Sequence, residues 1–262
     1  MVVRRVLCKS AASRSALPGL DWALNPYRGC GHACSYCYAQ DVTRFEMSRP
    51  WGEVVEVKVN FGQMLRKQLE KKPKGIFGLG TVTDPYQVVE KDYELSRGSL
   101  RELKSARCPV SVLTKSDLVL RDLDILADWV GVEVGISIGV VDDELSSVLE
   151  PGAPRPGRRF AALQRLAEEG IETYVMAAPI IPGVGDSEKS LRMLVGRTAD
   201  AGVKRMMWDK FNPRPIAGSR LRRAMNSRSI ELRLCDYAWV RSVRTILQRE
   251  CRDAGLELLE AF

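Results

Sequence analysis

Histidine is almost missing from this 262-residue chain; His32 is the only one, so a metal centre here contains at most one imidazole and takes its other ligands from thiols or carboxylates. No apolar run reaches the roughly 18 residues that a membrane helix requires. The first residues carry Arg4, Arg5 and Lys9 among short apolar pieces instead of the apolar segment of a signal peptide. The expectation is therefore a soluble, cytoplasmic protein with no membrane partner. Internal repeats, low-complexity tracts and a convincing linker are also lacking, which favours one α/β domain over residues 1–262. The cysteines number seven, an odd count, and in a cytosolic setting clustered thiols favour metal binding or catalysis over a disulfide framework.

What is present begins with pattern. Apolar, β-branched runs alternate with segments of helical period, the signature of βα units around a parallel sheet. The runs at 75–80, 109–114, 132–138, 171–178 and 203–209, with a short one near 22–26, predict six strands. Helices are predicted at 91–107, 118–129, 158–169 and 186–201. Residues 54–60 alternate well but follow Pro50 and Gly52, which suggests a strand outside the main sheet. A long helix is predicted over 229–254, with Leu232, Trp239, Val243, Ile246 and Leu247 on one face, and a last strand at 256–259. The stretch EPGAPRPG, 150–157, is the most loop-like.

Lys and Arg total 40 against 33 Asp and Glu, a net charge of +7. Arginine concentrates near the C-terminus as Arg220, Arg222, Arg223, Arg228, Arg233, Arg241, Arg244 and Arg249. Guanidinium forks match phosphates, so this run suits a nucleic-acid partner; it also suits a solvated helix face.

The chemistry is concentrated in NPYRGCGHACSYCYA, 25–39, where Cys30, Cys34 and Cys37 are spaced C-x3-C-x2-C. Iron-sulfur ligation and structural zinc both use clustered thiolates. Zinc requires a fourth ligand, from His32 or a distant cysteine, and would make the protein a non-catalytic nucleic-acid module. Three thiolates on a cubane leave one iron open, which is where a metal performs chemistry.

With Tyr36 before the third cysteine, this motif resembles the signature of radical S-adenosylmethionine (SAM) enzymes. The further words GTVTDPYQVVEK, LTKSDLVLRD, ISIG, EPGAP and APIIPGVGD, in order from Gly80 to Asp186, are similar to the spore photoproduct lyase branch, also labelled DNA repair photolyase-like. The resemblance implies a partial (β/α)6 radical SAM barrel over about 17–210 and a C-terminal helical extension over 211–262. It implies a [4Fe-4S] cluster on Cys30, Cys34 and Cys37, whose open iron takes the amino and carboxylate groups of SAM. One electron, from a donor such as a ferredoxin or flavodoxin, then yields a 5′-deoxyadenosyl radical that abstracts hydrogen from the substrate.

By the same resemblance, SAM is contacted by Tyr36, Thr83, Asp84, Lys115, Ser137, Arg159, Ala177 and Ala178. All but Arg159, which follows Glu150 by nine residues, fall at the carboxyl end of a predicted strand or beside the cysteines, where parallel sheets bind ligands. Plain structural roles fit the same residues: turn chemistry for Thr83 and Asp84, core packing for Ser137 and the alanines, a helix face for Arg159. The lyase returns hydrogen through a cysteine near the end of the second strand, working with tyrosines beside the third cluster cysteine. Tyr36 and Tyr38 are both here, but Thr81 stands at the cysteine's place, and an O–H bond is too strong to replace the soft S–H. A polynucleotide substrate other than spore photoproduct is the leading expectation; a small metabolite or a peptide is the alternative.

Overall fold

The computed structural model describes residues 1–261 and is a mixed α/β structure around one large sheet. The N-terminal segment supplies β1 (Val2–Val6), β2 (Ala12–Arg14), β3 (Trp22–Leu24) and β4 (Tyr27–Arg28). The cysteine loop follows, then α1 (Ala39–Thr43), β5 (Val54–Lys58) and α2 (Phe61–Leu69). Strands β1, β5 and β4 form a separate three-stranded sheet, so the alternating run at 54–60 does lie outside the main one.

From there the chain repeats strand and helix. β6 (Phe77–Leu79) leads to α3 (Glu90–Tyr93) and α4 (Leu95–Ser105), and β7 (Val110–Thr114) to a 3-10 turn and α5 (Leu123–Leu126). β8 (Val132–Ser137) leads to α6 (Asp143–Leu149) and α7 (Pro156–Glu168), β9 (Glu172–Ile180) to α8 (Glu188–Asp200), and β10 (Arg205–Lys210) to α9 (Pro215–Asn226) and α10 (Tyr237–Asp253). The final strand is β11 (Glu257–Glu260). Strands β3, β6, β7, β8, β9 and β10 pair in parallel in sequence order, the arrangement of a partial (β/α)6 barrel. β11 adds a further parallel strand against β10, and β2 an antiparallel one against β3, so the sheet stays open.

The strands form where the sequence is β-branched and buried on both faces, as in VSVLT and VEVGIS. Their side chains Val112, Val134, Ile136, Val175 and Met206 meet Leu100 and Leu103 of α4, Leu163 and Leu166 of α7, Leu191 of α8 and Leu247 of α10 in one core. Each such fully buried side chain contributes about 2 kcal/mol, and α10 joins this core through Val243, Leu247 and Cys251.

Three expectations need correction. The helix predicted over 91–107 breaks at Glu94, which is left-handed at φ 46°, because the Glu90 carboxylate accepts from the N–H groups of Ser96 and Arg97 and starts a new helix there. The helix predicted from 229 begins only at Tyr237, where the Asp236 side chain accepts from Trp239 N. Helix α9 was not anticipated; Pro215 at its first turn and the stripe Ala217, Leu221, Met225 define it, but the arginines between them disguise the stripe.

Candidate active site

The six parallel strands present their carboxyl ends on one side, and the cysteine loop, residues 29–38, lies there between β4 and α1. Gly29 permits this entry because its φ is 82° and a Cβ would strike Phe45 at 2.7 Å. Cys30 and Cys34 are buried and Cys37 half-buried. Ala39, Phe45, Trp51 and Val54 wall one flank of the loop, and Leu149, Ile181, Val184 and Phe211 the other. Burial raises all three thiols above their ordinary range.

Three thiols on one short buried loop are the donor set of a cubane that leaves one iron open, whereas a structural zinc requires a fourth ligand. The buried His32 places its Nδ1 3.2 Å from Asp84 Oδ2.

The loop is held from β6. Thr83 Oγ1 donates to Gly29 O at 2.6 Å, and Gln87, one turn on, donates to Thr83 Oγ1 at 2.9 Å while accepting from Gly31 N at 2.7 Å. Asp84 ties β6 to β7: Oδ1 accepts from Thr114 Oγ1 at 2.6 Å and Oδ2 from Lys115 N at 2.8 Å. Burial alone would raise the Asp84 carboxyl, but the His32 imidazole, the Thr114 hydroxyl and the Lys115 N–H outweigh it and lower the pKa to about 2. Thr83 and Asp84 therefore commit hydrogen-bonding groups to the protein itself.

Lys115, Ser137, Arg159 and Tyr36 are drawn together by Glu150, a residue that sequence inspection quoted only as part of a motif. Glu150 is fully buried. It accepts from the Tyr36 hydroxyl and the Arg159 guanidinium, and lies 3.2 Å from Lys115 Nζ. Lys115 Nζ also donates to Ser137 Oγ at 2.6 Å, which donates to Ala178 O at 3.3 Å, and it stands 5.5 Å from the Tyr36 ring centroid. Complete burial rules out a solvated helix face for Arg159, whose Nη1 donates to Ser137 O at 3.1 Å. Burial would raise the Glu150 carboxyl; Lys115 first and Arg159 next reverse that and lower its pKa to about 2. Two cations against one carboxylate leave this site one positive charge in surplus. The clue in the sequence was an acid flanked by Leu149 and Pro151 and nine residues before a basic one.

Ala177 is buried in β9, and Ala178, half-buried, follows it toward the strand's carboxyl end. Tyr38 is partly exposed and donates from its hydroxyl to Thr81 O at 2.6 Å, while Asn25 fixes the Thr81 turn through its side chain. Tyr36 and Tyr38 thus part company: one is locked inward on Glu150, the other faces the mouth beside Thr81.

Residues 24–194 match the model of the Radical SAM superfamily. The chain belongs to that superfamily. The cofactors of that superfamily are a [4Fe-4S] cluster and SAM. An uncharacterized protein of Mycobacterium tuberculosis (strain ATCC 25618 / H37Rv) is 38% identical over 210 residues, 76% of this chain and 62% of the relative, so this chain spans less than two thirds of that protein's length. A radical SAM Nalpha-GlyT isomerase of Pseudomonas phage M6 is 25% identical over 68% of this chain and 36% of its own. In fold, the chain is similar to a spore photoproduct lyase solved in complex with dinucleoside spore photoproduct, with a TM-score of 0.76 and 15% identity over 99% of this chain and 82% of the lyase. No helix among the described residues is long and apolar enough to cross a membrane.

Proposed function

We propose that this enzyme, acting in the cytoplasm, holds its cluster on Cys30, Cys34 and Cys37 and SAM beside Tyr36, Thr83, Asp84, Lys115, Ser137, Arg159, Ala177 and Ala178, in a barrel core of about 17–210 extended by 211–262. The group so bound supplies a 5′-deoxyadenosyl radical for hydrogen abstraction. The observation that carries this assignment is the buried Glu150 constellation next to the three-thiol loop. Its surplus positive charge suits the carboxylate of an amino acid, and its fixed dipoles need no reorganisation when that carboxylate arrives. Tyr36, pinned by Glu150, offers the adenine an aromatic face, and Ala178, half-buried toward the strand end, leaves room there, while Ala177 is packed in the core. The apolar flanks keep water from the reacting centre.

The substrate we infer is a nucleic acid other than spore photoproduct. Of the eight C-terminal arginines, Arg220, Arg244 and Arg249 are bonded within the protein. Arg222, Arg223, Arg228, Arg233 and Arg241 are exposed and, among the described residues, donate no side-chain hydrogen bond and form no ion pair. The segment carrying Arg233 crosses the strand ends, since Arg233 N meets Pro182 O after β9. Thr81, in place of a cysteine beside Tyr38, removes the lyase's hydrogen donor and argues against spore photoproduct itself. An external one-electron donor such as a ferredoxin or flavodoxin completes the reading.

Anaerobic reconstitution, reduction and incubation with SAM should yield a brown protein that forms 5′-deoxyadenosine, and deuterated DNA or RNA should pass deuterium into it. A reduced, iron-replete enzyme that forms none would defeat the radical assignment. Deuterium arriving only from peptide or metabolite pools would move the substrate to those classes, and efficient reversal of spore photoproduct would reinstate that lesion.

A further inference from the structure

By sequence Arg220 belongs with the arginine run, yet in the fold it turns away from solvent and onto the cysteine loop. Its Nε donates to Ser35 O at 3.0 Å, its Nη2 to Cys37 O at 2.5 Å and its Nη1 to Gln40 Oε1 at 2.7 Å. The guanidinium lies 5.7 Å from the centroid of Trp51, which packs in the wall around Cys30 and Cys37. The helix that carries it is fixed to the same loop at its start: the Asp41 carboxylate accepts from Ile216 N and Ala217 N, both at 2.9 Å. Asp41 is thus committed to the helix N-terminus, where an anion is stabilised.

All three acceptors of Arg220 are neutral, and among the described residues it forms no ion pair. A half-buried cation with no directly bonded anion is costly; desolvation outweighs the Asp41 carboxylate nearby, which is already engaged by Ile216 N and Ala217 N. What Arg220 faces is a loop bearing three thiols, which become anionic ligands when a cluster is bound. The cluster would therefore supply the balance of its counter-charge.

We propose that Arg220 is the positioning residue and counter-charge of the cluster loop, and that its guanidinium makes the cluster easier to reduce. The electron delivered by the external donor adds one negative charge beside Arg220; no bond is formed or broken at the arginine, which keeps its proton. The proposal rests on the assignment of the cluster to Cys30, Cys34 and Cys37.

The test uses the full chain, wild type, Arg220→Lys and Arg220→Gln, each reconstituted anaerobically. Iron and sulfide per chain are measured, and midpoint potentials are taken from dithionite titrations followed by EPR without SAM. Lys keeps the charge and loses the fork, so R220K should stay nearer to wild type. R220Q should show either a more negative midpoint at full iron or less than half the iron that R220K retains. If R220Q matches R220K in both iron content and midpoint, or lies nearer to wild type than R220K, the charge has no such role and the proposal fails. A wild-type chain that takes up no cluster would instead overturn the underlying assignment.

Discussion

Glu150 joins Tyr36 of the cluster loop, Lys115 after β7 and Arg159 of α7 at one buried point. E150Q would leave two buried cations without their anion, and we expect it to cost about 3–5 kcal/mol in urea unfolding. Y36F removes one donor and leaves the ion pairs, so about 1 kcal/mol is expected by the same measurement. The acid limb of stability carries the sign of this arrangement. The carboxyl has a pKa of about 2 in the fold against an ordinary 4.5, so its contribution is complete above about 4.5 and is lost as pH falls toward 2. Unfolding followed from pH 5 to pH 2 should therefore be flatter in E150Q than in wild type; equal slopes would show that Glu150 is not the linked group. The three cysteines proposed to hold the cluster are read from their spacing, but Glu150 was not legible, because its importance comes from residues 114, 35 and nine positions away in sequence.

At the scale of elements, strands were easier to foresee than helices. The central parallel strands β7, β8 and β9 are apolar runs with β-branched residues, buried on both faces, and burial on two sides leaves a nearly unbroken apolar string in the sequence. Helices α9 and α10 each bury a single stripe, and in α9 that stripe is interrupted by Arg220, Arg222 and Arg223. The role of α9 depends on a contact with α1 across 175 residues. D41A should fray its first turn at a cost of about 1 kcal/mol, seen as a lowered urea midpoint together with reduced iron retention after reconstitution. Strand β11 covers the edge of β10 with its own parallel pairing. Removing residues 256–262 uncovers that edge and withdraws the buried Leu256 and Ala261. A melting temperature several degrees lower and increased light scattering on heating are expected.

Over the whole molecule, the arginines divide by partner. Those tied to Glu188, Glu250, Glu260 or the cluster loop stabilise the fold, and those left unpaired on α9 and α10 and in the loop between them supply the positive face. If that face binds a polynucleotide, log affinity should fall linearly with log salt by about 0.7 per contacted phosphate on single strands. R222E/R223E/R233E should reduce both the affinity at low salt, by tenfold or more, and the slope, while 5′-deoxyadenosine formation without substrate stays unchanged. A response to salt that is flat in wild type would remove the nucleic-acid half of the function and leave the radical chemistry standing.

The sequence by itself determined the parallel α/β architecture, through its β-branched runs, and the cofactor chemistry, through three thiols and a tyrosine within eight positions of one another. Both are local: a strand needs only its neighbours to be apolar, and a ligand loop needs only its spacing. The tertiary structure decided which charges are spent. It set Arg159 and Lys115 against Glu150 with one positive charge to spare, and it turned Arg220 inward while leaving Arg222 and Arg223 outside. A guanidinium looks the same in sequence whether it faces water or a buried carbonyl. Only the packing of distant elements fixes its surroundings, and with them the strength of every interaction it makes.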